Sequence, residues 1–213
     1  MEGTDREAVR MGYQYLVMER EYGSGATQIG GRLSEILGIP CYGREILEQV
    51  AKKGHISAEQ IEAYEEKATN SFLYSVYLMS RMDTGESNLA SAESNIYLAE
   101  QKVIRELAAS GPCILIGHCA AQALKDKKDV LRVFIHADRQ TRLRRAVEEY
   151  GIAQADAPRV LKKFDKKREN YYRANTSADW KDPDEYDMML NSARLGTDGC
   201  VEILKDFYSR GLY

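Results

Sequence analysis

A chain of 213 residues is long enough for one domain with a full hydrophobic core. Its apolar content of 44% and charged content of 30% are those of a globular protein and exclude a disordered chain. The net charge of −3 argues against a broad nucleic-acid surface, and no apolar run reaches the ~20 residues that span a bilayer. The polar first twelve residues are not typical of a signal peptide, so we expect a cytoplasmic protein without nucleic-acid or membrane partners.

The four cysteines, Cys41, Cys113, Cys119 and Cys200, include no C-x-x-C pair. Scattered cysteines of this kind are typical of reduced thiols in a cytosolic protein. A zinc site formed by Cys41, Cys113, His118 and Cys119 is the alternative, and their spacing does not favour it. We therefore name no metal ligand.

The first predicted elements are a short buried strand over residues 16–18 and a glycine-rich turn, Gly23-Ser24-Gly25. A helix follows, with one apolar face formed by Ile29, Leu33, Ile36 and Leu37, and Gly38 ends it. In a strand that leads through a glycine turn into a helix, free backbone N–H groups and the positive end of the helix point to the same place. The turn is therefore predicted to bind phosphate.

Helices and strands alternate through the rest of the chain. Further strands are predicted for the apolar runs at 39–42, 113–117, 130–135 and 188–190. Helices are predicted in pieces over 44–82, toward residue 110, over 138–150 and 156–174, and after the last strand. A capping box at 57–60 and a loop at 83–88 interrupt the longest helical stretch.

This alternation predicts an α/β fold, a three-layer αβα sandwich, and continuous apolar runs suit a parallel sheet buried on both faces. We expect a single domain over residues 1–213. Helical inserts of about 44–110 and 139–175 are expected to cover the sheet.

The glycine turn lacks the lysine of a full phosphate-binding loop, which has the pattern G-x-x-x-x-G-K-[ST]. Aligned from the strand, Ala26 stands at the lysine position, and Thr27 offers a hydroxyl directly after it. The dinucleotide pattern G-x-G-x-x-G also fails, because Gln28 replaces its third glycine. A strand-to-helix turn without a ligand remains an alternative for these residues.

Motifs along nearly the whole chain, from about Tyr15 to Gly196, resemble those of the bacterial cytidylate kinase-like family. They are Arg20-Glu-Tyr-Gly-Ser-Gly, Ile29-Gly, Leu37-Gly-Ile-Pro-Cys-Tyr, Gly111-Pro-Cys-Ile-Leu-Ile-Gly-His-Cys-Ala, Val130-Leu-Arg-Val-Phe-Ile-His-Ala, Asp165-Lys-Lys-Arg with Tyr171-Tyr172, Thr176 with Trp180, and Leu190-Asn-Ser-Ala-Arg-Leu-Gly. The resemblance implies a P-loop kinase core with a five-stranded parallel sheet, a helical substrate-binding insert and an arginine-bearing lid. It also implies ATP and Mg²⁺ as cofactors and nucleotides as small-molecule partners.

The chain departs from this family's usual residues at three places along the expected cleft. Members often carry an arginine where this chain has Thr27. They usually have Gly-Arg-Cys-Ala-Asp after the third strand, where this chain has Gly117-His118-Cys119-Ala120-Ala121. They often have Tyr-Asp-Lys after the second strand, where this chain has Tyr42-Gly43-Arg44.

Three groups of residues are predicted to form the site. The nucleotide phosphates are expected at Gly23, Ser24, Gly25, Ala26, Thr27 and Gln28, and the adenine at Asn191, for which a helix cap is the alternative. The catalytic cations are predicted to be Arg20, Arg142, Arg145 and Arg168, because guanidinium groups suit phosphate, although a basic helix surface in solvent is the alternative for residues 159–173. The acceptor is expected at Glu19, Tyr42, Arg44 and His118. The alternative for Glu19 is an ion pair with Arg20 or Arg44. The alternative for His118 is a histidine satisfied by local hydrogen bonds.

The leading hypothesis is ATP-dependent phosphoryl transfer to a nucleoside monophosphate (CMP-like) or another small phosphorylated acceptor. Because the loop lysine is absent, a catalytically impaired nucleotide-binding or regulatory protein on the same fold is the alternative. A dinucleotide-binding oxidoreductase is a third hypothesis, which the broken glycine pattern disfavours. The sequence does not indicate an oligomeric state.

Overall fold

The computed structural model describes residues 12–54 and 88–210, and within this part five strands form one sheet. The strands are β1 (Tyr15–Arg20), β2 (Cys41–Tyr42), β3 (Cys113–Ile116), β4 (Val130–His136) and β5 (Met188–Asn191). They are all parallel, in the order β2-β3-β1-β4-β5. The helices are α1 (Ala26–Leu37), α2 (Glu45–Gly54), α3 (Asn88–Ala109), α4 (Ala120–Ala123), α5 (Arg139–Glu148), α6 (Ala157–Thr176) and α7 (Ser192–Arg210), with a short 3₁₀ helix at Pro183–Glu185. Helices on both faces of a parallel sheet confirm the predicted αβα sandwich.

The sheet is buried on both faces because its central strands carry apolar side chains in both directions. On one face, Leu16 and Met18 of β1 join a core formed with α1 and α7. On the other, Tyr15 and Val17 join a core formed with α2 and α3. Each apolar run that was predicted as a strand forms one in the structure. The observed bounds differ from the predicted bounds by no more than two residues at either end.

Helix α1 confirms most of its predicted apolar face. Ile29 and Leu33 are fully buried, and Gly38 ends the helix with a φ of +66°. The prediction for Ile36 is wrong, because this side chain is 50% exposed. Leu37 is partly buried against the core, as predicted, and so is Ile39 beyond the end of the helix.

The two predicted inserts contain α2, α3, α5 and α6 together with residues outside the described part. The capping box at 57–60 and all but the last residue of the 83–88 loop lie outside the described residues. In α3, Ile96 and Val103 are buried and belong to an apolar stripe along the helix. In the described ranges, we find no helix with the length and apolar character needed to cross a membrane.

Candidate active site

The glycine loop follows β1 and leads directly into α1. Gly23 and Gly25 have φ angles of +76° and +81°, which favour glycine over any L-residue with a side chain. Gly25 is the N-cap of α1, and no side chain caps the helix N-terminus. Ser24 is 1% exposed, and its buried Oγ has no hydrogen-bond partner among the residues that the structure describes. The loop therefore presents an uncapped helix N-terminus and an unpaired hydroxyl, a combination that suits an anion.

Arg145 supports the glycine loop through contacts to the loop's carbonyl oxygens. Its Nη1 donates to the carbonyl oxygen of Gly23 at 3.3 Å and to Ser192 Oγ at 2.9 Å. Ser192 Oγ in turn donates to the carbonyl oxygen of Ser24 at 2.5 Å. The structure therefore places Arg145, which was predicted as a catalytic cation, in a buried position that fixes the loop.

Asn191 lies at the end of β5, beside this support. Its Oδ1 accepts hydrogen bonds from the backbone N–H groups of Ala193 and Arg194, at 3.1 and 3.3 Å. This is the geometry of a helix cap, the alternative that the sequence left open. Contact with adenine stays a prediction.

Helix α6, in the predicted lid, lies directly on the glycine loop. Asp165 Oδ1 accepts the backbone N–H of Tyr22 at 2.8 Å, and Asp165 Oδ2 accepts from Arg142 Nη1 at 2.5 Å. The Tyr22 ring stacks on Phe164 with centroids 4.7 Å apart. Arg142 also lies 3.4 Å from Glu21 Oε2. Arg142 thus connects α5 and α6 to the loop through buried charges.

A cleft of about 230 Å³ opens beside the loop, at the carboxyl ends of β1 and β3. Five of its lining residues are predicted site residues: Glu19, Arg20, Arg44, His118 and Arg168. Six others were not assigned to the site: Leu47, Glu100, Phe164, Lys167, Tyr171 and Tyr172. Ligands of open parallel sheets bind at this edge. The cleft is therefore the candidate acceptor site.

Arg20 and Arg168 bring two partly buried positive charges together in this cleft. Arg168 Nη1 donates to the carbonyl oxygen of Arg20 at 2.9 Å. Burial, with the charge of Arg20 as a smaller contribution, lowers the pKa of Arg168 to about 9. Burial also lowers the pKa of Arg20, whose Nε has no hydrogen-bond partner. Two desolvated like charges are stabilised by a bound anion, so the pair suits a phosphate or carboxylate.

Two acidic residues lie next to these arginines. Glu19 is 6% exposed, and its Oε2 accepts from Trp180 Nε1 at 3.4 Å and lies 4.0 Å from Arg20 Nη1. Glu21 Oε1 accepts from Lys181 Nζ at 2.5 Å. Glu19 lines the cleft, whereas Glu21 binds the cations that surround the glycine loop.

His118 lies at the carboxyl end of β3 and is held from α3 and α6. Its Nδ1 is 2.9 Å from Glu100 Oε1, and Glu100 Oε2 accepts from the Tyr171 hydroxyl. Gln101 Nε2 donates to the His118 carbonyl oxygen at 3.1 Å. Glu100 was missed from the sequence, although it occupies the apolar stripe of α3 four residues after Ile96. A carboxylate in a buried stripe is the signal that identifies it.

The remaining predicted residues lie around the loop and the cleft. Thr27 and Gln28 are exposed at the start of α1, and Gln28 Oε1 accepts from Thr197 Oγ1 at 3.4 Å. Arg44 stands at the cleft rim with 90% of its side chain exposed, 3.9 Å from Glu48. Tyr42 packs against the core and does not line the cleft.

The cysteines and acidic residues form no metal-binding group in the part of the chain that the structure describes. The alternative of a zinc site at Cys41, Cys113, His118 and Cys119 is not supported, because within the described ranges these side chains form no such group. All four cysteines are free. Burial raises the pKa of the thiols of Cys41 and Cys113 to about 11. These thiols are therefore neutral side chains at neutral pH.

The model of the cytidylate kinase-like family matches residues 17–194, most of the chain. The chain belongs to this family. No curated protein matches it significantly. Membership in a kinase-like family supports a kinase-type function on a nucleotide or another small molecule.

Solved structures show the same fold over most of the chain. An uncharacterized protein from Eubacterium ventriosum is 22% identical with a TM-score of 0.68, and the match covers 92% of this chain and 98% of that one. A shikimate kinase from Bacteroides thetaiotaomicron is 12% identical with a TM-score of 0.51, and the match covers 92% of this chain and 98% of the kinase. A sugar kinase from Janibacter sp. is 10% identical with a TM-score of 0.53, and coverage is 93% and 98%. At these identities the likeness shows the P-loop kinase fold alone.

Proposed function

We propose that this protein transfers a phosphoryl group from ATP to a nucleoside monophosphate (CMP-like) or another small phosphorylated acceptor. The observation that carries the proposal is the position of the partly buried Arg20–Arg168 pair at the end of β1, just before the uncapped glycine loop. The glycine loop suits the phosphates of a donor, and the arginine pair suits the anionic group of an acceptor. Phosphoryl transfer requires both anions next to each other.

The donor phosphates would be held by the backbone N–H groups at residues 23–28. The unpaired Ser24 hydroxyl and the uncapped N-terminus of α1 fit an anion of this kind. Bound ATP supplies the transferable phosphoryl group, and Mg²⁺ held by its phosphates supplies charge neutralisation. Thr27 is the exposed hydroxyl nearest the missing lysine position and would contact that ion.

The acceptor would place its anionic group between Arg20 and Arg168. These guanidinium groups are partly desolvated, so they would bind a phosphate more strongly than exposed lysines do. They would also stabilise the charge that builds up during transfer, a role that the loop lysine has in other members of the fold class. The contacts of Asp165 with the loop would exclude water from the reacting groups.

A regulatory protein that binds nucleotide without turnover is the second candidate. The observation that favours it is Ala26, a buried alanine at the lysine position. It predicts ATP binding without product formation for any acceptor. The two candidates therefore differ in one measurable quantity, the acceptor-dependent formation of ADP.

The experiment incubates the protein with ATP, Mg²⁺ and each of a panel of nucleoside monophosphates, and separates the products by chromatography. We expect diphosphate product from at least one acceptor, and a loss of about 100-fold in kcat/KM for Arg168→Met. Arg159→Met is the matched control, because Arg159 lies on the same helix with 75% of its side chain exposed. ATP binding by calorimetry without any product would favour the second candidate, and absence of ATP binding would contradict both.

A further inference from the structure

His118 and Glu100 form a buried pair at the cleft wall. The Glu100 side chain is 1% exposed, and each of its two oxygens has one partner, His118 Nδ1 and the Tyr171 hydroxyl. His118 has a φ of +59° and is held in this strained conformation by Gln101. A histidine fixed in this way by a carboxylate has a defined orientation, and it lines the cleft with 15% of its side chain exposed.

The hydrogen-bond pattern determines which ring nitrogen carries the proton. An ionised carboxylate only accepts hydrogen bonds, so Tyr171 and His118 Nδ1 are both donors to Glu100. The proton of a neutral His118 ring then lies on Nδ1. The other nitrogen, Nε2, keeps its lone pair. Within the described ranges the hydrogen bond of the His118 ring is made through Nδ1, and the partly exposed side chain lines the cleft.

A proton acceptor of this kind distinguishes two classes of phosphoryl acceptor. The oxygen of a monophosphate is already anionic and needs no base to attack phosphorus. A hydroxyl group has a proton to lose, and a positioned histidine removes it. A base beside the Arg20–Arg168 pair is therefore suited to a molecule that has both an anionic group and a hydroxyl.

We infer that His118 is the general base of this site, that Glu100 is its positioning residue, and that the acceptor is a small anionic alcohol. The inference rests on the ATP-dependent transfer of the proposed function, and it goes beyond that proposal by assigning the attack on phosphorus to a hydroxyl group instead of a phosphate oxygen. The anionic group would lie at Arg20 and Arg168, with the hydroxyl at His118 Nε2.

The reaction is a single displacement. The hydroxyl oxygen forms a bond to the γ-phosphorus of ATP while its proton passes to His118 Nε2. The bond between the γ-phosphorus and the bridging oxygen breaks, and its electron pair leaves with ADP. The products are ADP and a phosphate ester, and the imidazolium returns its proton to solvent.

The test measures ADP formation at pH 8 with Mg²⁺-ATP alone, where water is the hydroxyl acceptor, and with glycerate, shikimate and ribose 5-phosphate as anionic alcohols. The variant is His118→Asn, because asparagine tolerates positive φ and can donate to Glu100, yet it cannot accept the proton. His136→Asn is the matched control, since His136 also ends a strand and lies outside the cleft. We expect a loss of about 100-fold or more in His118→Asn and no loss in the control.

The product and the pH profile provide two further readouts. An anionic alcohol should give a phosphate ester, whereas phosphorylation of CMP to CDP with full activity in His118→Asn would overturn the inference and leave the kinase proposal intact. A general base predicts that kcat/KM of the wild type rises with pH and then levels off. Glu100→Gln should change the rising part of this pH profile. If Glu100 had only a structural role, the substitution would leave the profile unchanged.

The charged and titratable groups that face His118 are Glu19, Arg20, Arg44, Glu45, Glu100, Lys167, Arg168, Tyr171 and Tyr172.

Nitrogen NMR of the imidazole ring tests the geometry without activity. We expect the Nδ1–H form at pH 8, and a shift of this tautomer in Glu100→Gln. A ring that is protonated on Nε2 at this pH would overturn the inference, even if ATP is not turned over. Failure of ATP to bind in calorimetry would instead count against the proposed function.

Discussion

Gly117→Ala tests whether the position of Arg20 determines the activity of the site. Gly117 has a φ of +79°, and a Cβ atom at this residue would lie 1.9 Å from Arg20 Nη1 and 2.9 Å from its Cζ. The guanidinium group must therefore move by about 1.5 Å to reach normal van der Waals separation. An L-residue at this φ also costs roughly 1–2 kcal/mol of stability. For a chain of this length that cost lowers Tm by about 2–8 °C.

Gly38→Ala separates these two effects, because Gly38 has a φ of +66° and nothing lies within 4 Å of its Cβ position. Both variants should lose similar stability in urea unfolding. Only Gly117→Ala should lose kcat/KM in the ADP-release assay, by about 100-fold, since a misplacement of about 1 Å has an effect of that size. In an Arg20→Ala background, Gly117→Ala should cost no further activity. Full activity of Gly117→Ala in the wild-type background would refute the role assigned to Arg20.

Three further predictions concern the loop, the missing lysine and the thiols. Asp165→Asn removes the anion that holds Arg142 and should weaken ATP binding about tenfold or more in calorimetry; unchanged affinity would show that α6 does not order the loop. Ala26→Lys should raise kcat if the absent cation limits the rate, and an unchanged kcat in the ADP-release assay would show that the arginines already replace it. Iodoacetamide at pH 7.5 should alkylate Cys41 and Cys113 of the folded chain slowly, because a thiol pKa of about 11 leaves about one thiolate in several thousand. Rapid labelling of these two residues, identified by mass spectrometry, would contradict the burial that raises their pKa.

The strands were predictable because buried parallel strands are continuous apolar runs bounded by turns. Val130–His136 and Cys113–Ile116 have this character throughout, whereas a surface strand would alternate. The position of Arg20 was also predictable. It follows an apolar run that ends at a glycine turn, and ligands of parallel sheets gather at this edge.

The roles of Arg142 and Arg145 were not predictable, although their spacing placed them on one face of a helix. Spacing does not determine which neighbour that face contacts, and tertiary packing turned it toward the carbonyl oxygens of the glycine loop. The Glu100–His118 contact could not be predicted for the same reason. It joins the middle of α3 to the end of β3 across 18 positions, and the rotation of a helix against a strand cannot be derived from local sequence.

The central claim is that the loop at residues 23–28 binds the phosphates of a nucleotide without a lysine. The most direct measurement is a crystal structure of the protein with a non-hydrolysable ATP analogue and Mg²⁺. We expect the triphosphate at the N-terminus of α1, within hydrogen-bond distance of the backbone N–H groups of Gly25 and Ala26. A triphosphate bound elsewhere, with this N-terminus unoccupied at saturating analogue, would contradict the account.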